Sequence, residues 1–363
     1  MRVPATLMRG GTSKCWLFDR SDVPGDRRLL SELLIDLFGA DDPHQLDGVG
    51  GGTSVTSKAA VVSRSTSGDA DVDYLFAQVG IGAHTVEWGS NCGNCATAVA
   101  LWAVERYRLP ARPDGTVPVR MRNINTGSLV VAVVGTSESA PTRVPGVRGV
   151  GTPVDLTFLA PAGSTTGSLW PTGKRIEAMS TSGVTVDATL ADAGAPVALI
   201  PAADLGLPDA ASEHELRDAV PLLRRIRARA AVRMGLAPSE DAALDAVPKV
   251  GVVGRAVDYV DTLGQTVRAD EYDVSVRMLS MNAPHPTIGL TAAVAVAVVA
   301  SEPGTVLEHV GVPSALSRVR IGTAGGVLAC EIHRSPATLR VELRRAARRI
   351  ADSQILTGEP VPA

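Results

Sequence analysis

The most chemically suggestive thiol in the chain, Cys92, stands at the mouth of a helix with no polar side. The stretch Gly89-Ser90-Asn91-Cys92-Gly93-Asn94-Cys95 runs directly into Ala96-Thr97-Ala98-Val99-Ala100-Leu101-Trp102-Ala103-Val104-Glu105. A helix that is apolar all round is a buried helix, since no face is left for water. Its first turn carries unpaired N–H groups and the positive end of the helix dipole. Burying that end requires either an anion or a capping side chain, for which Asn91 and Asn94 are the candidates. Helix N-termini also lower thiol pKa values, which makes Cys92 a candidate thiolate. Two readings follow: a well-capped core helix, or an anion site with a reactive thiol. The glycines beside Cys92, which let a ligand approach the backbone, favour the second.

A second candidate is Lys58. Lysine occurs only at positions 14, 58, 174 and 249, and Lys58 ends the loop Asp47-Gly48-Val49-Gly50-Gly51-Gly52-Thr53-Ser54-Val55-Thr56-Ser57 before the β-branched run to Val62. The order Gly-Lys-Ser/Thr of a phosphate-binding loop is missing, and no helix follows as a dinucleotide fingerprint requires. What remains is a donor-rich loop that delivers an amine at a strand start. Beside apolar neighbours such an amine has a lowered pKa and serves as a base; the alternative is a solvated surface lysine. Gly10-Gly11-Thr12-Ser13 is a turn between two strand pieces, offering backbone N–H groups and two hydroxyls or serving only as a hairpin loop.

These groups need a frame. An amphipathic helix is expected over 29–38, a strand over 70–80, and two strands over 117–134 broken by Asn123-Ile124-Asn125-Thr126-Gly127, a hairpin signal. Residues 144–173 are rich in Gly, Pro, Ser and Thr, with one short strand at 154–159, and suggest a crossover between domains. Short strands follow over 184–200. A long helix is expected over 213–234, its arginine cluster read as a solvated face. A second pattern then echoes the first: a strand ending at Ser280-Met281-Asn282-Ala283-Pro284-His285-Pro286-Thr287, a helix without a polar face over 290–300, and two strands broken at Gly322-Thr323-Ala324-Gly325-Gly326. The order strand, small-residue turn, buried helix, hairpin thus occurs twice, as an internal duplication would give. The expected fold is α+β: two pseudo-symmetric domains, each a mixed, mostly antiparallel sheet curled around one buried helix, over 1–175 and 176–363. Both helix N-termini would be aimed at the cleft between them. The tail is expected as a strand over 338–344 and then a short Arg-rich helix, a last segment free to pack back on the first domain.

Length and composition agree with this frame. A chain of 363 residues favours two domains, and 45% hydrophobic with 20% charged residues describes an ordinary globular protein. A net charge of −3 lends no support to nucleic-acid or membrane-surface binding. No apolar segment has signal-peptide character or spans a bilayer. Four cysteines, 15, 92, 95 and 330, then suggest free thiols in a cytoplasmic protein.

Taken together, Met8-Arg9-Gly10-Gly11-Thr12-Ser13-Lys14, Gly51-Gly52-Thr53-Ser54-Val55-Thr56-Ser57-Lys58, Asn91-Cys92-Gly93-Asn94, Asn123-Ile124-Asn125-Thr126-Gly127, Pro161-Ala162-Gly163-Ser164-Thr165-Thr166-Gly167 and Val276-Arg277-Met278-Leu279-Ser280 resemble the methylaconitate isomerase (PrpF) and oxalomesaconate tautomerase family. The likeness runs in order over nearly the whole chain. It implies a diaminopimelate epimerase-like fold and cofactor-free isomerisation of an unsaturated di- or tricarboxylate, by an allylic proton shift or cis-trans isomerisation. By the same resemblance Lys58 is the base and Cys92 the thiol opposite it. Thr12, Ser13, Ser54, Thr56, Gly93, Asn94, Ser280 and His285, with Asn91 and Met281, would bind the substrate carboxylates. No metal and no cofactor are expected; the partner is a small polycarboxylate, with no nucleic acid or membrane, and a homodimer is left open. The chain departs from the family pattern at Cys15-Trp16, Cys95, Pro284-His285-Pro286-Thr287 and Thr323-Ala324-Gly325-Gly326, which are expected pocket walls, so reaction class carries over better than substrate.

Three other readings compete. A two-base epimerase needs a second acid/base at the second helix, where alignment of the two helices gives only Ile288 or Thr287. Cys92-Gly93-Asn94-Cys95 is a Cys-x-x-Cys at a helix start, as in a dithiol redox protein or half of a zinc site, but lacks the βαβ setting or a second ligand pair. A non-catalytic carboxylate-binding protein would keep the helix ends without depending on Lys58.

Overall fold

In the computed structural model, residues 2–89, 91–135, 139–181, 183–335 and 338–357 are described. The fold is mixed α+β, rich in sheet with few helices. The chain divides into two compact units: Met1–Thr142 with Val150–Leu156 and Arg345–Ala363, and Arg143–Gly149 with Thr157–Arg344.

In the first unit, Arg2–Gly10 runs antiparallel to Ser13–Asp19, which is parallel to Lys58–Arg64. That strand is antiparallel to Val72–Val79, which is parallel to Val117–Asn123 and so to the hairpin ending in Leu129–Val134. The first part of Val150–Leu159 and the last part of Leu339–Leu356 close the sheet back onto Arg2–Gly10. Two helices serve this sheet. Helix α1 (Arg27–Phe38) is capped by Asp26 and ended by Gly39 in the left-handed region, and buries Leu30, Leu34 and Phe38 against Trp16, Phe18 and Val61. Helix α2 (Gly93–Tyr107) lies inside the curl, and every residue from Gly93 to Ala103 is buried. With no polar face to offer water, α2 is stable only when strands surround it. Burial of Leu101 or Trp102 there stabilises the unit by about 2–3 kcal/mol each.

The second unit repeats the same connections. Val184–Ala193 is antiparallel to Ala195–Pro201, parallel in turn to Lys249–Gly254, then antiparallel to Val274–Ser280. That strand is parallel to Arg318–Thr323, which pairs with Gly326–Arg334. Helix α3 (Glu213–Arg233) starts in a Ser212/Glu215 capping box and packs Leu216, Leu223 and Ile226 on the sheet, as α1 does in its own unit. Helix α4 (Leu290–Ala300) is buried along its whole length. One clasp appears in both units. Asp71 N–H donates to Arg120 O at 2.8 Å while its carboxylate accepts from Arg120 N–H at 2.8 Å; Asp273 and Arg320 do the same at 2.8 and 2.7 Å. In each unit the clasp fixes the parallel crossover that leads out of the buried helix.

Three expectations are corrected. The Arg-rich helix expected after residue 344 is instead strand, within one 18-residue element, Leu339–Leu356. Ala346 and Ala347 are buried in it, and pairing with Arg2–Gly10 satisfies its backbone, overriding the helical preference of Ala and Arg. The short strand of the Gly/Pro-rich segment begins at Val150, four residues early, because glycine and proline at 151 and 153 are carried by pairing. Finally, the arginine cluster of α3 is not wholly solvated, since Arg227 is 3% exposed.

Gly10 shows how closely sheet and helix approach: a Cβ there would lie 2.0 Å from Asn94 O and 2.8 Å from Ala98 N. Gly10→Ala should destabilise the protein by about 3 kcal/mol in urea unfolding. Gly68→Ala, where a Cβ meets nothing within 4 Å, should leave the midpoint unchanged.

Candidate active site

Lys58 is the first residue of its strand and is 8% exposed, so the amine is delivered into the interior rather than to solvent. Its Nζ donates to Gln78 Oε1 at 2.5 Å and lies 5.1 Å from the centre of the Phe76 ring. Gln78 sits directly opposite Lys58 in the antiparallel pair, and its Nε2 donates to Ser57 O at 2.9 Å, which fixes the amide's orientation. Among the described residues no carboxylate forms an ion pair with Lys58. A buried cationic group held by a neutral amide is half-satisfied, and an anion arriving there completes it.

The loop before Lys58 is ordered by Gln45. This residue is 2% exposed, receives Gly52 N–H at 2.9 Å, and donates to Ser57 Oγ at 2.8 Å and Gly80 O at 3.0 Å. Thr56 turns back on its own loop, with its hydroxyl 2.7 Å from that of Thr53, and Val55 O receives Lys14 N–H at 2.9 Å. Ser54 is half-buried on the same loop.

At the mouth of α2 the cap is Cys92 itself, not Asn91 or Asn94: its Sγ accepts Cys95 N–H at 3.5 Å. Asn91 is used elsewhere, its Oδ1 receiving the Tyr74 hydroxyl at 2.9 Å. Asn94 ties the helix to the glycine turn, accepting Thr12 N–H at 3.4 Å and donating to Thr12 Oγ1 at 3.1 Å and Ser13 Oγ at 3.5 Å. Gly11 has φ of +51°, and a Cβ there would lie 2.0 Å from Asn94 Oδ1, so the turn accepts only glycine. Thr12, Ser13, Asn91, Cys92, Gly93 and Asn94 thus gather around one helix end. Lys58 acts electrostatically on both Cys92 and Cys95.

The thiolate expected at Cys92 is corrected. Hydrogen bonding with Cys95 and burial push the Cys92 thiol well above its ordinary pKa, outweighing the pull of the Lys58 charge. Cys92 is therefore a thiol at neutral pH. Asn123 and Asn125 take the hairpin reading: Asn123 Oδ1 accepts Thr126 N–H at 3.0 Å, and Asn125 ties Phe76 and Trp88 backbone groups.

In the second unit, Ser280 and Met281 form a turn before α4. Met281 has φ of +52°, and its carbonyl accepts from buried Arg227 Nη1 at 2.5 Å. Arg227 is in turn paired with Asp245. His285 N–H donates to Met278 O at 2.8 Å, and its Nδ1 accepts Thr287 N–H at 3.0 Å, which leaves the proton of a neutral ring on Nε2. Helix α4 begins at Gly289 with no side-chain cap. The Thr287 methyl fills the space beside Gly146 and Gly325, where added Cβ atoms would come within 2.6 and 2.3 Å of it.

Sequence reading missed Gln78, Gln45 and Arg227. The signal for Gln78 was present: Val72, Tyr74, Phe76 and Gln78 alternate on one strand face, and a glutamine closing an apolar series needs a buried polar partner. Gln45 lies in an irregular segment without periodicity, and Arg227 differs from its exposed neighbours only by its place on α3.

The chain matches the PrpF protein family over residues 1–358. It belongs to that family. Among PrpF-type relatives, it is 33% identical to the 3-methylitaconate isomerase of Eubacterium barkeri over 98% of this chain and 97% of that one. It is also 33% identical to the 4-oxalomesaconate tautomerase of Pseudomonas putida, over 98% and 96% of the two chains. The crystal structure of methylitaconate-delta-isomerase matches with TM-score 0.78 and 32% identity, over 98% of this chain and 95% of that one. A hydroxyproline epimerase from Agrobacterium vitis matches with TM-score 0.59 at 11% identity, covering 98% and 92%, a likeness of fold alone. The protein is accordingly an isomerase of this double-bond-shifting family, and no helix among its described residues is long and apolar enough to cross a membrane.

Two measurements check this geometry. Removing the amide in Gln78→Leu leaves Lys58 without its partner and should cost about 1–3 kcal/mol of stability in urea unfolding. Because the Cys92 thiol is pushed up, iodoacetamide should label it at pH 8 at least tenfold more slowly in the native protein than in urea, with the native rate still rising above pH 9.

Proposed function

We propose that this PrpF-family protein moves a double bond in an unsaturated di- or tricarboxylate by a cofactor-independent proton shift, with Lys58 as the base. The observation that carries the reading is the buried amine of Lys58, whose hydrogen bond goes to Gln78 and to no carboxylate among the described residues. An anionic substrate supplies the missing charge. A proton on an allylic carbon beside a carboxylate is weakly acidic, so its removal needs a positioned base and donors for the growing dienolate charge. Lys58 takes the proton in its unprotonated form, and the ammonium this creates is the charge that the substrate carboxylate answers. The first-turn N–H groups of α2, the Asn94 amide and the hydroxyls of Thr12 and Ser13 hold negative charge, with Ser54, Thr56 and Asn91 completing that set. Ser280, Met281 and His285 are proposed as further carboxylate contacts. Returning the proton to the far allylic carbon, from the Lys58 ammonium or from Cys92, completes the shift. A Cys92 held as thiol at neutral pH suits the role of proton donor.

The finer architecture belongs to the same proposal: two domains of duplicated origin, each with its buried helix, in a cytoplasmic protein. A two-base epimerase gains nothing from the structure. The N-cap of α4 is Gly289, one residue beyond the Ile288 expected there, and glycine exchanges no proton.

The test is proton NMR in heavy water with the protein free of added cofactor and with aconitate, methylaconitate, 3-methylitaconate and oxalomesaconate as candidates. Deuterium should enter the allylic position as the double bond moves, and Lys58→Ala should reduce that rate by about 10³-fold. Binding of a polycarboxylate without exchange would replace this proposal by a carboxylate-binding role. Turnover that persists in Lys58→Ala would remove Lys58 as the base.

A further inference from the structure

Three of the four cysteines converge on one point of the first unit. Cys95 is fully buried one helical turn after Cys92; its backbone N–H donates to Cys92 Sγ at 3.5 Å, and its thiol feels both Cys92 and Cys15 electrostatically. Cys15 is likewise fully buried, in the strand Ser13–Asp19. Cys92 alone of the three is half-exposed. Cys92 is thus the residue of the three with any surface open to an oxidant, and Cys95 stands beside it at the third helical position.

We propose that Cys92 and Cys95 form an oxidisable dithiol that a hydroperoxide closes into a disulfide. Cys92 occupies the N-cap in extended conformation and Cys95 the third helical position, with Cys95 N–H already directed at Cys92 Sγ at 3.5 Å. Their Cα atoms are then about 5–6 Å apart, within the span a disulfide bridges without moving the backbone. In the first step Cys92 sulfur attacks the peroxide; an S–O bond forms, the O–O bond breaks, and one water leaves. In the second, Cys95 sulfur attacks the sulfenic acid; the S–S bond forms, the S–O bond breaks, and hydroxide leaves as water with the Cys95 proton. Two thiols lose two electrons and two protons, and hydrogen peroxide is reduced to two waters.

The groups facing Cys92 set its pace. Lys58 on its strand favours the thiolate, whereas the hydrogen bonding with Cys95 and burial oppose it. The opposition wins, so the dithiol resists oxidant at neutral pH and yields faster in alkali. Closure withdraws the Cys92 proton from beside Lys58. With Cys92 as the proton donor of the reading given above, closure switches the isomerase off until a dithiol reductant restores it.

The chain offers a direct assay, because trypsin places Cys92 and Cys95 together on Ser65–Arg106 and Cys15 on the separate peptide Cys15–Arg20. The full-length protein is treated with hydrogen peroxide, alkylated in denaturant and digested. The expected result is a Ser65–Arg106 peptide that has lost two hydrogens and takes up no alkyl group, while Cys15 alkylates normally. Isomerisation, measured in parallel, should fall at least tenfold and return with dithiothreitol. In Cys95→Ser, where no resolving thiol remains, Cys92 should pass on to sulfinic acid and dithiothreitol should restore nothing. Full alkylation of both cysteines after peroxide, or a cross-link between the Cys15 peptide and Ser65–Arg106, overturns the proposal. The mass readout needs no turnover, so it decides the dithiol even if the isomerase reading fails, and the wild-type result decides it even if Cys95→Ser does not fold.

Discussion

A helix that offers water no polar face must be surrounded, and in the first unit much else follows from that constraint. Residues Gly93–Ala103 of α2 are buried on all sides, so the sheet has to curl until its edges meet. Strands can approach such a helix only where side chains are small. Gly10 and Gly11 meet Asn94 and Ala98 at distances that leave no room for a Cβ. The same close approach carries the Thr12-Ser13 turn to the helix mouth. Packing and chemistry thus share one cause: the glycines that let the barrel close also bring donor groups to the positive end of the helix.

The second recurring feature is incomplete charge compensation. Ion pairs such as Arg120–Asp71, Arg217–Glu213 and Arg320–Asp273 lie at or near the surface, where such pairs contribute little. Lys58 is different, because it is buried and answered by an amide. The Gln78 amide is itself locked by Ser57 O, so it cannot rotate to follow the lysine. Such an arrangement costs stability in the free protein, and groups of this kind concentrate at functional sites rather than in cores. In the second unit Arg227 performs a different task. It is satisfied by Asp245 and the Met281 carbonyl, and it holds a turn with positive φ in place.

Much of this was legible in the sequence because the strongest signals were local and apolar. The all-apolar helix over 290–300 was read to the residue, and Lys58 was placed at a strand start, since β-branched residues after a glycine-rich loop leave few alternatives. The family resemblance added a coherent chemistry. What escaped was non-local. The strand 345–356 is made of residues that prefer helix, and only its partner at Arg2–Gly10 decides the matter. Gln45 and Gln78 matter through partners far along the chain, which no window of sequence contains. Cys92 was misjudged for a related reason. The helix dipole was visible, but the neighbouring thiol and the burial that outweigh it were not.

The strand Leu339–Leu356 has a consequence for how the polypeptide is made. Its last part closes the sheet of the first unit between Arg2–Gly10 and the start of Val150–Leu159. Those two partners leave the ribosome long before it does. While the rest of the chain is being translated, the first unit therefore stands as an unsealed sheet around its apolar helix, with Arg2–Gly10 lacking one neighbour. An unpaired strand of that kind is a template for pairing with other chains. The nascent protein's exposure to aggregation, and its call on chaperones, accordingly last until Leu339–Leu356 emerges.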